Sequence, residues 1–108
     1  MPNIAIRELA PGVWASGQVQ PADLAAVAAR GVRRIVNNRP DGEEPGQPAS
    51  ADLAAAAAAL GLDYVHAPAR GLPSAEVAAL VGDALADGQS VLLFCRSGMR
   101  SVAAWAMA

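Results

Sequence analysis

The feature that most constrains the fold is a run of large apolar residues, Val91–Phe94, which is followed by a short polar loop containing glycine. A strand without polar residues on either face must be covered on both sides, which is typical of a central strand in a parallel sheet. Parallel strands also need long crossover connections, usually helices. The run therefore predicts an α/β domain with helices on both faces of a sheet.

The rest of the chain alternates short apolar runs with helical patterns, as βαβ units do. Predicted strands cover Val13–Ser16, residues 32–37 and residues 63–67, with a candidate edge strand at residues 3–9. Predicted helices cover residues 21–30, residues 51–60 and a segment that begins after Ser74 and closes at Gly88. We expect a single domain over residues 1–108, with a mainly parallel sheet of about four strands flanked by helices.

The predicted helices carry more detailed expectations. Ser50 is the expected N-cap of the helix over residues 51–60. Helical spacing places four residues of the following helix in the core: Val77, Leu80, Val81 and Leu85. The last helical pattern stops in mid-course at residue 108, so we expect the domain to be truncated at its C-terminus.

Composition and charge exclude several classes of function. The formal net charge is −2 and no basic stripe is present, so nucleic acid is not an expected partner. The apolar stretches are far shorter than the roughly 20 residues of a membrane span, and the N-terminus lacks the regions of a signal peptide, which predicts a cytoplasmic protein. One Cys and one His are too few for a zinc site, and no cofactor motif is present. The oligomeric state stays open.

The central candidate is the lone cysteine, Cys95, which directly follows the apolar run. Its loop lies where an open parallel sheet binds ligands, beyond the carboxyl ends of the strands. Backbone amides, a helix N-terminus and two guanidinium groups there favour negative charge, which lowers a thiol pKa and populates the nucleophilic thiolate. We predict Cys95 and Arg100 as catalytic residues. The neighbouring residues predicted to bind an anion are Arg96, Ser97, Gly98, Met99 and Ser101.

The alternative for Cys95 is a buried residue with only a packing role. Two arginines within five residues disfavour that role, because buried cations without partners are costly. Either Ser97 or Ser101 could donate a hydroxyl hydrogen bond to the sulfur.

Other residues are weaker candidates for the same site. Arg39 follows a predicted strand and either lines the pocket or supports an acidic loop from the surface; Arg70 is a further candidate anion-binding residue. Asp41 is the candidate acid, with Glu43 and Glu44 as alternatives if their loop folds over the cysteine. For His66, a hydrogen-bonded structural role is favoured over catalysis.

Three segments carry a family resemblance: Ala-Ser-Gly-Gln-Val-Gln-Pro-Ala-Asp-Leu at residues 15–24, Val-Asn-Asn-Arg-Pro-Asp-Gly-Glu-Glu-Pro-Gly-Gln-Pro at residues 36–48 and Phe-Cys-Arg-Ser-Gly-Met-Arg-Ser at residues 94–101. They resemble the beta-lactamase-hydrolase-like, phosphatase-like domain family from roughly residue 9 onward. Members of that family are labelled in some cases as sulfurtransferases and in others as tyrosine-phosphatase-like proteins. The resemblance implies a cysteine-phosphatase-like fold, similar to that of dual-specificity phosphatases.

The resemblance leaves the reaction open. Similar protein phosphatases have five residues between Cys and Arg, whereas four separate Cys95 from Arg100, as in the rhodanese loop that holds a persulfide. Similar phosphatases also carry an Asp where this chain has Ala69, Arg70 and Gly71. By contrast, Ser101 and the order of elements resemble phosphatases.

The leading prediction is a sulfurtransferase that forms a Cys95 persulfide from a small anionic or sulfane-sulfur substrate and passes the sulfur to an acceptor thiol. The first alternative is a phosphatase acting through a phosphocysteine. The second is a non-catalytic module that binds anions or senses oxidants.

Overall fold

The computed structural model describes residues 5–108. In that range the strands are β1 (Ile6–Ala10), β2 (Val13–Ser16), β3 (Arg34–Asn37), β4 (Asp63–His66) and β5 (Val91–Phe94). The helices are α1 (Leu24–Ala29), α2 (Ser50–Ala59), α3 (Ala75–Leu85) and α4 (Met99–Met107), with a 3-10 turn at Pro21–Asp23 leading into α1.

The strands form one sheet in the order β1-β2-β5-β3-β4. Strands β2, β5, β3 and β4 are mutually parallel, and β1 pairs antiparallel with β2 at the edge. The predicted α/β domain with a mainly parallel sheet and a central Val91–Phe94 strand is confirmed. The candidate strand at residues 3–9 is real from Ile6 onward, and residues 3 and 4 of that prediction lie outside the described residues.

Side chains of β5 alternate between two cores, which explains why the whole strand is apolar. Leu92 and Phe94 lie in one core, and Val91 and Leu93 lie in the other. The first core is closed by residues of α1 and α2: Leu24, Val27, Leu53 and Ala57. The second core is closed by residues of α3 and α4: Val77, Val81, Ala84 and Ala104. The helices on both faces bury β5 and hold its carboxyl end in place.

Two details of the helices differ from expectation. Leu80 is 43% exposed, because the buried line of α3 passes through Val77, Val81 and Ala84 and leaves Leu80 beside it. The N-cap of α2 is Ala49, so the prediction that Ser50 caps this helix is wrong. Ser50 is the first helical residue, and its backbone amide donates to the carboxylate of Asp41 at 2.8 Å.

Within residues 5–108, no helix has the length and apolar character needed to cross a membrane. The same range contains no cluster of three or more His, Cys, Asp or Glu side chains placed to hold a metal ion.

Candidate active site

The sheet register brings three strand ends together. Ser16 on β2 and Asn37 on β3 are both paired with Phe94 on β5. Because these strands are parallel, the residues that follow them emerge at one edge of the sheet. Gly17, Asn38 and Cys95 therefore stand next to each other, and Cys95 occupies the middle position.

Glycines allow the Cys95 loop to pack closely on the end of β2. Gly98 is the N-cap of α4 with φ +92°, and a Cβ there would lie 3.2 Å from the carbonyl oxygen of Ser16. A Cβ on Gly17 would lie 3.1 Å from the carbonyl oxygen of Arg96. A side chain at Gly98 would thus meet both a strained backbone and a steric contact. Gly98 was predicted from its place in the loop, whereas the contact made by Gly17 was not.

The thiol of Cys95 is completely buried. Burial raises its pKa, but hydrogen bonds from the backbone amide and hydroxyl of Ser101 and from the amides of Gly98 and Ser97 lower it by more. The Gly98 amide donates to Cys95 Sγ at 3.1 Å. The net shift of the Cys95 pKa is downward, which increases the thiolate fraction at neutral pH.

The Ser101 hydroxyl contacts the buried side-chain amide of Asn38. Asn38 donates from Nδ2 to the carbonyl oxygen of Ala67 at 2.9 Å, which leaves its Oδ1 as an acceptor. In this structure the single hydroxyl hydrogen of Ser101 is donated to that Oδ1 at 2.9 Å, so the hydroxyl must turn away from Asn38 to donate to the Cys95 thiolate. Of the two serines considered, only Ser101 brings its hydroxyl to the thiol; Ser97 contributes its backbone amide and its side chain is exposed. The role of Asn38 was missed, although its position after a central strand marked it for this edge.

Arg100 forms a two-bond ion pair with Glu43. Its Nη1 donates to Glu43 Oε2 at 2.7 Å, and its Nη2 donates to Oε1 at 2.8 Å. Nη1 also donates to the carbonyl oxygen of Ala69 at 2.7 Å, and the guanidinium lies close enough to the Cys95 sulfur to interact with it. The hydrogen bonds from Arg100 are the main cause that lowers the pKa of Glu43 to about 2, with Arg39 adding to them against the effect of burial. Glu43 is therefore ionised at neutral pH.

Arg39 anchors the acidic loop from inside the protein. Its side chain is 1% exposed, and it donates to Glu43 at 2.8 Å, to Glu44 at 2.9 Å and to Gln18 at 2.9 Å. All three guanidinium nitrogens are thus occupied. The expectation that Arg39 supports the acidic loop agrees with this geometry, but its placement at the surface was wrong.

A cavity of about 450 Å³ lies above the Cys95 loop. Its lining is strongly charged: Arg39, Glu43, Glu44, Arg70, Arg96 and Arg100. Cys95 is not part of this lining, whereas Arg100, which interacts with the sulfur, is.

The remaining predicted residues lie outside this cavity. Met99 is 76% exposed at the start of α4 and does not line the cavity. Asp41, the candidate acid, accepts a hydrogen bond from the first turn of α2, so Glu43 and Glu44 are the carboxylates that the loop brings to the arginines. The ring of His66 contacts the carbonyl oxygen of Arg39 at 2.9 Å, as expected for a structural histidine.

The chain matches known proteins over almost its whole length. The family model described as "Beta-lactamase hydrolase-like protein, phosphatase-like domain" matches residues 5–108. A beta-lactamase hydrolase-like protein of Agrobacterium fabrum is 36% identical over 89 residues, which is 81% of this chain and 21% of that protein. The chain thus spans about a fifth of the length of this curated relative.

Two solved structures share the fold. Both are described as a "putative phosphatase", one from Neisseria meningitidis and one from Shewanella putrefaciens. The first has a TM-score of 0.77 at 27% identity and covers 86% of this chain and 68% of its own. The second has a TM-score of 0.79 at 25% identity and covers 92% of this chain and 66% of its own. These likenesses favour the phosphatase alternative over the leading prediction of sulfur transfer.

Proposed function

The chain belongs to the phosphatase-like domain family of beta-lactamase hydrolase-like proteins, and from that premise we propose that it is a cysteine-dependent phosphatase. The observation that carries the proposal is the buried Cys95 thiol, whose pKa is lowered by backbone amides beside Arg100. A phosphoryl group needs both a nucleophile and fixed positive charge for its oxygens, and this loop holds both at one point.

In the proposed reaction, the Cys95 thiolate attacks the phosphorus atom of a phosphate monoester. A sulfur–phosphorus bond forms, and the ester oxygen leaves with the electron pair of the bond that breaks. Water then attacks the phosphocysteine, its proton passes to solvent, and inorganic phosphate departs as the thiolate is restored. Amides of the Cys95 loop and the guanidinium of Arg100 bind the phosphoryl oxygens in both steps.

The leaving group is restricted by the carboxylates at the site. Protonation of a leaving oxygen by a positioned acid commonly contributes a hundredfold or more to the rate. Glu43 has a pKa of about 2 and is already ionised at neutral pH, so it has no proton to give. We therefore assign the chain to esters that leave as stable anions, such as aryl phosphates, in preference to alkyl phosphates.

The test is hydrolysis of para-nitrophenyl phosphate by the purified chain, compared with the Cys95→Ser and Arg100→Met variants. Steady turnover that Cys95→Ser abolishes and Arg100→Met reduces by roughly a hundredfold or more supports the proposal. Gln89→Ala, a change in the exposed turn before β5, serves as a control and should retain full turnover. Turnover that survives in Cys95→Ser would overturn the proposal.

Sulfur transfer is the second candidate, and the spacing of four residues between Cys95 and Arg100 favours it. In that reaction, the Cys95 thiolate attacks the outer sulfur of thiosulfate, sulfite leaves, and an acceptor thiol later removes the sulfur from the persulfide. Intact mass spectrometry after incubation with thiosulfate distinguishes the two functions. One added sulfur on Cys95, removable by cyanide, together with no aryl phosphate turnover, would put sulfur transfer first.

A module that only binds anions or senses oxidants differs from both enzymes in the same experiments. Such a module would bind phosphate equally well before and after Cys95→Ser and would turn over neither substrate.

A further inference from the structure

The charged cavity contains arginines that the proposed reaction does not use. Four of the eight arginines in the chain line it, together with two glutamates. Arg39 is fully occupied by Glu43, Glu44 and Gln18. Arg100 lies close enough to the Cys95 sulfur to interact with it, and the proposed chemistry needs it there. Two arginines, Arg70 and Arg96, are left without an assigned task.

These two arginines face solvent and have little competition from carboxylates. The side chain of Arg96 is 69% exposed, and its Nε lies 3.9 Å from Glu44 Oε1, a long contact that spans no hydrogen bond. Arg70 is exposed, and among residues 5–108 no carboxylate lies within ion-pair distance of it. Arg70 follows β4 and Arg96 follows β5, so two separate segments bring them to one cavity.

On the premise of the proposed phosphatase function, we infer that Arg70 and Arg96 form a second anion subsite, which binds an acidic group carried by the substrate beyond its reacting phosphoryl group. The phosphoryl group takes the loop amides and Arg100. The second acidic group, a carboxylate or another phosphate, lies in the outer part of the cavity between the two exposed guanidinium groups. A volume of about 450 Å³ accommodates a small molecule with two such groups.

The experiment measures binding by calorimetry to the Cys95→Ser chain, which removes the nucleophile and leaves the arginines. The probes are the 2-, 3- and 4-carboxyphenyl phosphates, each paired with the neutral carbamoylphenyl phosphate of the same geometry. At least one carboxyl probe should bind about tenfold more tightly than its neutral partner. Arg70→Gln and Arg96→Gln should each weaken that probe about fivefold and leave its neutral partner unchanged.

Arg33→Gln is the matched control. It removes the same charge from an exposed residue just before β3. That residue lies where the parallel strands begin, at the end of the sheet opposite to the cavity. The inference is overturned if no carboxyl isomer binds more tightly than its neutral partner, or if Arg33→Gln lowers the preference as much as the two cavity variants do. The same preference should appear in the KM values of the wild-type chain, so the comparison does not depend on the Cys95→Ser chain alone.

The outcomes separate this inference from the proposed function. Selective binding of a carboxyl probe with no turnover by the wild-type chain would refute the phosphatase and leave the second subsite standing. Turnover with equal affinity for the paired probes would leave the phosphatase and refute the second subsite.

Discussion

Replacing Glu43 by Gln should strengthen the binding of inorganic phosphate. The Glu43 carboxylate holds both terminal nitrogens of Arg100, so a phosphate that binds Arg100 must compete with it. The net shift of the Glu43 pKa, from an ordinary value near 4.5 to about 2, corresponds to roughly 3 kcal/mol in favour of the ionised form. Glu43 is partly exposed and part of this free energy comes from Arg39, so we take about 1.4 kcal/mol as the cost of displacing Glu43 from Arg100. Removing that cost should raise the affinity for phosphate about tenfold.

Calorimetric titration with inorganic phosphate measures this effect without relying on turnover. Gln retains an oxygen that can accept from Arg39, so the buried guanidinium keeps a partner and the fold should hold. Glu44→Gln is the matched control, because it removes the same charge from the same loop without a contact to Arg100. Weaker phosphate binding by Glu43→Gln would refute competition and would mean that Glu43 positions Arg100. If Glu44→Gln gained as much phosphate affinity as Glu43→Gln, the effect would come from the change in net charge alone.

Three further outcomes follow from the described contacts. Gly98→Ala should lose about 2 kcal/mol of unfolding free energy, because Gly98 has a positive φ and a Cβ there would meet the carbonyl oxygen of Ser16. Gly82→Ala, inside α3 with room for a Cβ, should gain up to about 1 kcal/mol. Urea unfolding measures both variants, and equal effects would contradict the strain at the Cys95 loop. Ser101→Ala should raise the pKa of the Cys95 thiol, read from the pH dependence of iodoacetamide alkylation, while Ser97→Ala keeps the backbone amide and should leave it unchanged. Hydrogen bonds from Arg34 on β3 lower the pKa of Asp87 to about 2. The stabilisation of the folded chain by this ion pair is therefore present above about pH 3.8 and is lost as the pH falls towards 2. Asp87→Asn should therefore lower stability at pH 7 but not at pH 2, and an equal loss at both pH values would contradict this.

Local sequence patterns were sufficient to predict the framework that carries the site. The apolar run of β5 identified the central strand, and its position directly before Cys95 and a helix located the anion loop. These predictions succeeded because burial on both faces and a strand–loop–helix order are properties of neighbouring residues. The antiparallel β1 was harder to predict, because an exposed edge strand needs little apolar alternation.

The closing contacts of the site could not be predicted in the same way. Glu43 and Arg100 are 57 residues apart in sequence, and their ion pair depends on how the loop after β3 folds back over the sheet edge. The error at Ser50 has the same origin. Its hydroxyl satisfies the local rule for an N-cap, but Asp41 supplies the acceptor for the first turn of α2 from nine residues away.

Glu43 Oε1 accepts hydrogen bonds from two arginines, one from the anion loop and one from the buried anchor of the acidic loop. The two guanidinium groups consequently share a single carboxylate. When an anion binds Arg100 in place of Glu43, the acidic loop loses its two hydrogen bonds to Arg100 and keeps its contacts with Arg39. Ligand affinity and loop anchoring are thus linked thermodynamically: whatever strengthens the Glu43–Arg100 ion pair weakens anion binding, and anion binding weakens that tie of the loop by the same free energy.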